Sequence, residues 1–400
     1  MNNNSKINYI YGFKGIASLI VFTGHFLVAF YPFFRSSNPN AVFFQDHNIV
    51  KYIVFSPISF FYNGHFAVMV FFILSGYLLS YGYFTAGDKS IIVSSALRRY
   101  FRLTIPVFVS CFFAYSCLKL NLFFNQDTSL ITHSKWLASF YNFKPSFIQM
   151  IKFSFYGVYF DFHRYQNYNS PLWVMRMALF GSFLVFIFSF LFCYIKKRYI
   201  IYLISVLLFH NTYYLAFVLG VMLCDENTRN CNYKSFFKNR IILFSLFLIG
   251  ISLGSYRPHD FWINKFLNNC FIGVYLGGAR GIVYHIIGAF FVVYVLMNSK
   301  LMKLFFSNKI MSYLGKISYP IYLTHFIVIC SVSCFLFNML YALMHMKALC
   351  VIITWIVTFL VTIVISHLFY MSVEKGTVQL TKRLYILIKS YYRMVCASVK

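Results

Sequence analysis

An all-α, polytopic transmembrane helical bundle of about ten spans is the fold class this sequence predicts. Three observations carry it. The chain is 60% hydrophobic and only 11% charged, with a mean hydropathy of +0.70, whereas soluble chains carry about 25% charged residues. Its apolar runs are long and continuous rather than alternating, which suits helices and not the strands of an outer-membrane barrel. Its cations gather in the polar intervals between the runs, as the positive-inside rule requires.

Taken in order, the apolar runs fall at 10–31, 64–84, 101–122, 172–195, 199–209, 212–224, 240–254, 281–298, 318–341 and 348–371. The first has no small-residue cleavage site after it and is expected as an uncleaved span. A polar loop with Pro32, Pro39 and Pro57 follows it. Residues 85–100 form a polar segment running into Arg98, Arg99 and Arg102. The interval 123–171, too short and too aromatic for an independent domain, is expected as a loop with interfacial helical pieces. The runs 199–209 and 212–224 are short for a full crossing. Residues 1–383 are expected to form one integral-membrane domain and 384–400 a basic cytoplasmic tail. With the N-terminus inside, 23 of the 35 Lys and Arg fall on the inner side and 11 on the outer, Arg176 being intramembrane. That excess places both termini in the cytoplasm.

The net charge of +27 has the same origin. No nucleic-acid-binding module accompanies it, so nucleic acid is excluded as a partner, and membrane lipids are the expected neighbours of the cations. Ten cysteines are scattered through apolar runs with no C-x-x-C pair or Cys/His cluster. They read as core residues and imply no metal and no disulfide framework.

Several polar groups are out of place in lipid. Lys14 and His25 share the first run. Eleven positions apart, they are separated by ~16 Å of rise and about 20° around a helix, so they project from one face. Ionisable groups inside a membrane are candidate functional residues, although a lysine can also snorkel and a histidine can bond a neighbouring helix. His65, at the outer start of the second run, is an interfacial side chain or a substrate contact. Ser75-Gly76 within FFILSGY permits close approach of another helix. Arg99 and Arg102 share a helix face at i, i+3, and Arg98 neighbours Arg102 at i, i+4. Three guanidiniums suit a polyphosphate such as coenzyme A, and they equally suit the positive-inside rule. Trp173 sits at an outer interface. Ser318, Tyr322 and His325 form one polar stripe at i, i+4 and i+7. No G-x-S-x-G elbow, H-E-x-x-H or P-loop is present. The chain has eight acidic residues, almost none in the runs, which disfavours a proton-coupled transporter.

Together these stretches resemble the acyltransferase-3 family of integral-membrane acyltransferases, which includes bacterial O-antigen and exopolysaccharide O-acetyltransferases. The matching pieces are Lys14-x10-His25, FFILSGYLLS at 71–80, RRYFRLTIP at 98–106, PLW at 171–173, YYLAFVLGVML at 213–223, SYPIYLTHF at 318–326 and VEKG at 373–376. Lys14 stands where Arg is commoner, Ala178 where an acidic residue is usual, and Gly376 where Pro is usual. The resemblance implies an enzyme of the bacterial inner membrane. It would move an acyl group, acetyl by expectation, from cytoplasmic acyl-CoA to a hydroxyl of a cell-surface glycan or its lipid-linked precursor. No permanently bound cofactor is implied. His25 and Lys14 take the catalytic role, with His25 as general base or covalent acyl carrier. Arg98, Arg99 and Arg102 take the donor. His325, Tyr322, Ser318, Ser75 and Trp173 are expected to position substrate. The alternative is a glycan transporter or flippase without acyl-transfer chemistry.

Overall fold

The computed structural model describes residues 7–35, 48–163, 166–192, 195, 197–228, 239–257, 262–270, 275 and 277–398. Of the cations counted above, Lys6, Arg164, Lys196, Arg229, Lys234, Lys238 and Lys400 lie outside the described residues, as does Pro39. Among the described residues there are helices and no strands. The main helices are α1 (Asn8–Phe30), α2 (Gly64–Ala86), α3 (Lys89–Lys119), α4 (Val174–Phe192), α5 (Arg198–Phe209), α6 (Tyr214–Thr228), α7 (Arg240–Gly254) and α8 (Arg280–Asn298). They are followed by α9 (Lys309–Met344), α10 (Lys347–Phe369) and α11 (Lys375–Ser398). Each expected run is therefore a helix. Seven helices among the described residues are long and apolar enough to cross a membrane. The helices α5, α6 and α7 have 12, 15 and 15 residues, short of the ~20 that a ~30 Å hydrocarbon core requires. The interval 123–171 holds the short helices Asn125–Thr132, Lys135–Ala138 and Phe147–Lys152, as a loop with helical pieces should.

The polar segment 85–100 is largely helical, and the helix that carries the third run opens well before residue 101. α2 stops at Gly87, whose φ of 71° no β-carbon opposes. Asp88 then caps α3, its Oδ1 accepting the Ser90 N–H at 2.8 Å. The helix therefore starts at Lys89 and carries all three arginines within it. At the other end, α11 runs through residue 384 without a break.

Glycines set the closest helix crossings. α1 and α9 begin at the same end of the bundle, here called the N-face, and run parallel. A β-carbon added at Gly15 would fall 2.7 Å from the Leu314 backbone carbon, and one at Gly315 would fall 2.3 Å from the Tyr11 carbonyl oxygen. Backbones meet at this crossing, so the helices lie nearer than larger side chains allow. Likewise Gly76 of α2 lies against Phe217, and Gly220 of α6 against Ile73. The end of the bundle at which α1 finishes is called the C-face below.

The short helices α5 and α6 are joined by charge. Arg198 Nη1 donates to Asp225 Oδ1 at 2.6 Å, and the Tyr202 hydroxyl donates to Asp225 Oδ2 at 3.1 Å. Asp225 is 4% exposed. Asp225→Ala is expected to cost about 1.5–3 kcal/mol, the worth of hydrogen bonds to a charged group. Thermal unfolding in detergent measures it, and an unchanged midpoint would show that the pair contributes nothing.

Candidate active site

The site begins where α1 and α9 touch. Gly15 packs beside Gly315. Ten residues further along each parallel helix stand His25 and His325, at matching height. Their rings are nearly coplanar, 8° apart, with His25 Nδ1 2.8 Å from His325 Nε2. His325 Nδ1 lies 2.9 Å from the Ile321 carbonyl oxygen. A carbonyl only accepts, so His325 Nδ1 carries the hydrogen, and in the neutral ring Nε2 is bare. That bare nitrogen accepts from His25 Nδ1–H. The hydrogen-bond network thus assigns His25 the tautomer that leaves Nε2 with its lone pair. His325 is fully buried; His25 is half-buried. The Trp136 ring lies 5.7 Å from that of His25 at 15°, and Phe326 meets His25 edge-on.

His25 lines a C-face cavity of about 560 Å³ together with His65, His285, Trp136, Trp173, Tyr62, Arg35 and Arg257. The Arg257 guanidinium lies 5.7 Å from the Tyr62 ring. Burial raises the Tyr62 hydroxyl to about 12, so it remains a neutral donor. Polar groups, two tryptophans and two guanidiniums in a roomy cleft suit a large hydroxyl-bearing ligand.

A second cavity, of about 160 Å³, lies on the N-face side. Its cationic wall is Lys14, Arg99 and Arg102, and Glu374, Ser75 and Ser318 also line it. Arg99 is fixed by its Nε donating to Ser182 Oγ at 2.8 Å. Glu374 closes the π turn Tyr370–Glu374, and its buried Oε2 has no hydrogen-bond partner among the described residues. Ala178 also lines this cavity, so the carboxylate the cavity holds is Glu374, while position 178 contributes a methyl group. Tyr322 lines both cavities. Its hydroxyl donates to the Pro171 carbonyl, and Asn169 Nδ2 donates to Leu323 O at 2.7 Å. The PLW turn is thereby tied to α9, with Trp173 facing the C-face cavity.

The candidates separate as follows. Lys14, Arg99, Arg102, Ser75 and Ser318 meet in the N-face cavity, His25 and Trp173 in the C-face cavity, and Tyr322 between them. His325 stands behind His25. Arg98 does not join them: its Nε donates to Ser94 O at 2.9 Å, and its guanidinium lies 6.0 Å from the Tyr385 ring of α11. Lys14 and His25, ~16 Å of rise apart along α1, line different cavities. His285 and Trp136 were not singled out by sequence, and Tyr213 and Glu374 fall inside the matching pieces at 213–223 and 373–376 with no role assigned to them there. His285 is a lone histidine in an apolar helix, and only its contacts distinguish it. Among the described residues no group of three or more His, Cys, Asp or Glu is placed to hold a metal.

A family model described as an acyltransferase domain, that of the acyltransferase-3 family, matches residues 7–371, a range that holds both cavities' site residues except Glu374, Thr377 and Val378. No curated protein matches the chain significantly, and no solved structure does.

Proposed function

The chain belongs to the acyltransferase-3 family and is an integral-membrane acyltransferase; on that premise we propose that it moves an acyl group, acetyl in the simplest case, from cytoplasmic acyl-CoA to a hydroxyl of a cell-surface glycan or its lipid-linked precursor. The observation that carries this reading is the pair of cavities meeting at Tyr322, one cationic and one holding a bare imidazole nitrogen. In this account the N-face is the cytoplasmic one. Arg99 and Arg102 grip the CoA phosphates with planar forks, and Lys14 adds a point charge. The thioester extends past Tyr322 toward His25. The acceptor hydroxyl lies in the C-face cavity, and His25 Nε2 takes its proton as the oxygen attacks the thioester carbonyl. The C–O bond forms, the C–S bond breaks, and the thiolate leaves with the proton that His25 returns. His325 holds the His25 ring and faces the charge that develops on it.

The donor half has its own test. Arg99→Ala and Arg102→Ala are each expected to raise the KM for acetyl-CoA about 10–100-fold, the worth of one charge-assisted bond, with acceptor KM little changed. Arg99→Lys recovers part of this, keeping the charge and losing the fork. Arg98→Ala, outside the cavity, leaves donor KM near wild type. Steady-state kinetics on protein normalised for abundance reads all four. An unchanged donor KM in both alanine variants removes CoA from the N-face cavity.

A further inference from the structure

The C-face cavity contains a second imidazole pair that the mechanism above does not use. His65, in the first turn of α2, and His285 of α8 stand with their Nδ1 atoms 2.6 Å apart. His285 Nε2 faces two groups: the Tyr256 carbonyl oxygen at 3.0 Å, which only accepts, and Asn63 Nδ2 at 3.2 Å, which only donates and also gives a hydrogen to Gly254 O at 2.8 Å. The nearer carbonyl sets the tautomer, with the hydrogen on Nε2. His285 Nδ1 is therefore bare and accepts from His65 Nδ1–H. That leaves His65 Nε2 as a lone-pair acceptor, met by the Tyr213 hydroxyl at a long 3.2 Å. The construction repeats that of His25 and His325: a buried imidazole anchored on a carbonyl holds a second, half-buried imidazole that lines the cavity, here with its unprotonated Nε2 met by the Tyr213 hydroxyl. Fold stability does not call for His65. The start of α2 is already held by Asn63, which accepts the Phe66 N–H and donates to Gly254, and His285 ties α8 to Tyr256 without it.

Two imidazoles with unprotonated Nε2 atoms line one cavity, and together they can receive two hydroxyls. We propose that His65, oriented by His285, is a second hydroxyl-binding arm of the acceptor site. In this reading it accepts a hydrogen bond from an acceptor hydroxyl other than the one acylated at His25, with Tyr213 giving up its place. His65 is then a specificity residue that selects polyhydroxyl acceptors over simple alcohols, and His285 is a positioning residue. Trp173 lies beside this arm, its ring 5.7 Å from that of Tyr213, where it can cover the face of a sugar ring. The inference rests on the acyl-transfer reading above.

The test uses the purified full chain in proteoliposomes with radiolabelled acetyl-CoA. The acceptors are octyl glycosides of glucose, galactose, mannose and rhamnose, their monodeoxy analogues, and octanol. For a glycoside that is acetylated, removing the contacted, unacetylated hydroxyl is expected to lower kcat/KM about 2–12-fold, the net worth of one hydrogen bond when Tyr213 can retake the imidazole. His65→Ala is expected to raise the parent glycoside's KM by a similar factor, to abolish discrimination against that deoxy analogue, and to leave donor KM unchanged. His65→Gln, whose amide oxygen reaches roughly the Nε2 position, recovers part of both. A merely structural role for His65 would not move discrimination in this selective way. Discrimination that persists in His65→Ala overturns the proposal, as does octanol accepted as well as any glycoside. Acetyl-CoA consumed to free acetate with no glycoside ester overturns it while leaving acyl transfer standing. No consumption of acetyl-CoA at all overturns the acyl-transfer reading and this one with it.

Discussion

His25→Ala is expected to lower turnover by about 10²–10⁴-fold, the range of a lost general base, while the protein still folds and inserts. The ring is half-buried and, among the described residues, makes one side-chain hydrogen bond, to His325. The crossing that holds α1 on α9 is made by Gly15 and Gly315 instead. In the proposed mechanism the donor is held at the other cavity, so donor KM should stay close to wild type. This split between kcat and donor KM separates a chemical role from a packing role. Retention of more than about a tenth of wild-type turnover in purified His25→Ala would show that the imidazole is structural. A hydroxylamine-labile acetyl group trapped on wild type and absent from His25→Ala would make His25 the acyl carrier instead of the base.

The second large effect belongs to His325. His325→Phe keeps a ring of similar size and removes the acceptor of the His25 Nδ1–H. His25 is then free to rotate or to change tautomer, and either loses the presented Nε2 lone pair. Misplacement of a reacting group by ~1 Å costs on the order of 10²-fold, so a loss of about that size in kcat is expected. His325→Gln, which offers an amide oxygen near the old Nε2, should retain more. Nitrogen-15 spectra of histidine-labelled protein give the independent reading: wild-type His25 protonated at Nδ1 and bare at Nε2, with that signature lost in His325→Phe. A wild-type His25 protonated at Nε2 contradicts the assigned geometry whatever the kinetics.

Much of this was legible in the sequence because membrane chemistry is severe. Continuous apolar runs placed every main helix up to α10, since only helices satisfy their backbone in lipid and the runs are long. Polar residues inside those runs marked Lys14, His25, Ser318, Tyr322 and His325, because each is costly there unless it is used. What sequence could not supply was pairing across the chain. His25 and His325 are 300 positions apart, and their meeting depends on a backbone crossing at Gly15 and Gly315. Helical spacing put Arg98, Arg99 and Arg102 together, and only the packing of α3 against α4 and α11 turns Arg98 away. His285 gave no signal, as one imidazole in an apolar helix is usually a satisfied core residue. Hydropathy reports the polar stretch 89–100 and not its caps, so the start of α3 at Lys89 could not be read from the apolar run alone. Asp88, beside Gly87, held that information.

In the proposed mechanism, donor and acceptor are taken from the two ends of one bundle and meet at His25. The most direct measurement uses proteoliposomes sorted for a single orientation by an N-terminal tag, with radiolabelled acetyl-CoA confined to one side and an octyl glycoside sealed on the other. Label should reach the glycoside when acetyl-CoA is on the N-face side, and should not when the two are exchanged or when His25 is alanine. Equal labelling from both sides, or labelling that survives His25→Ala, would contradict the account.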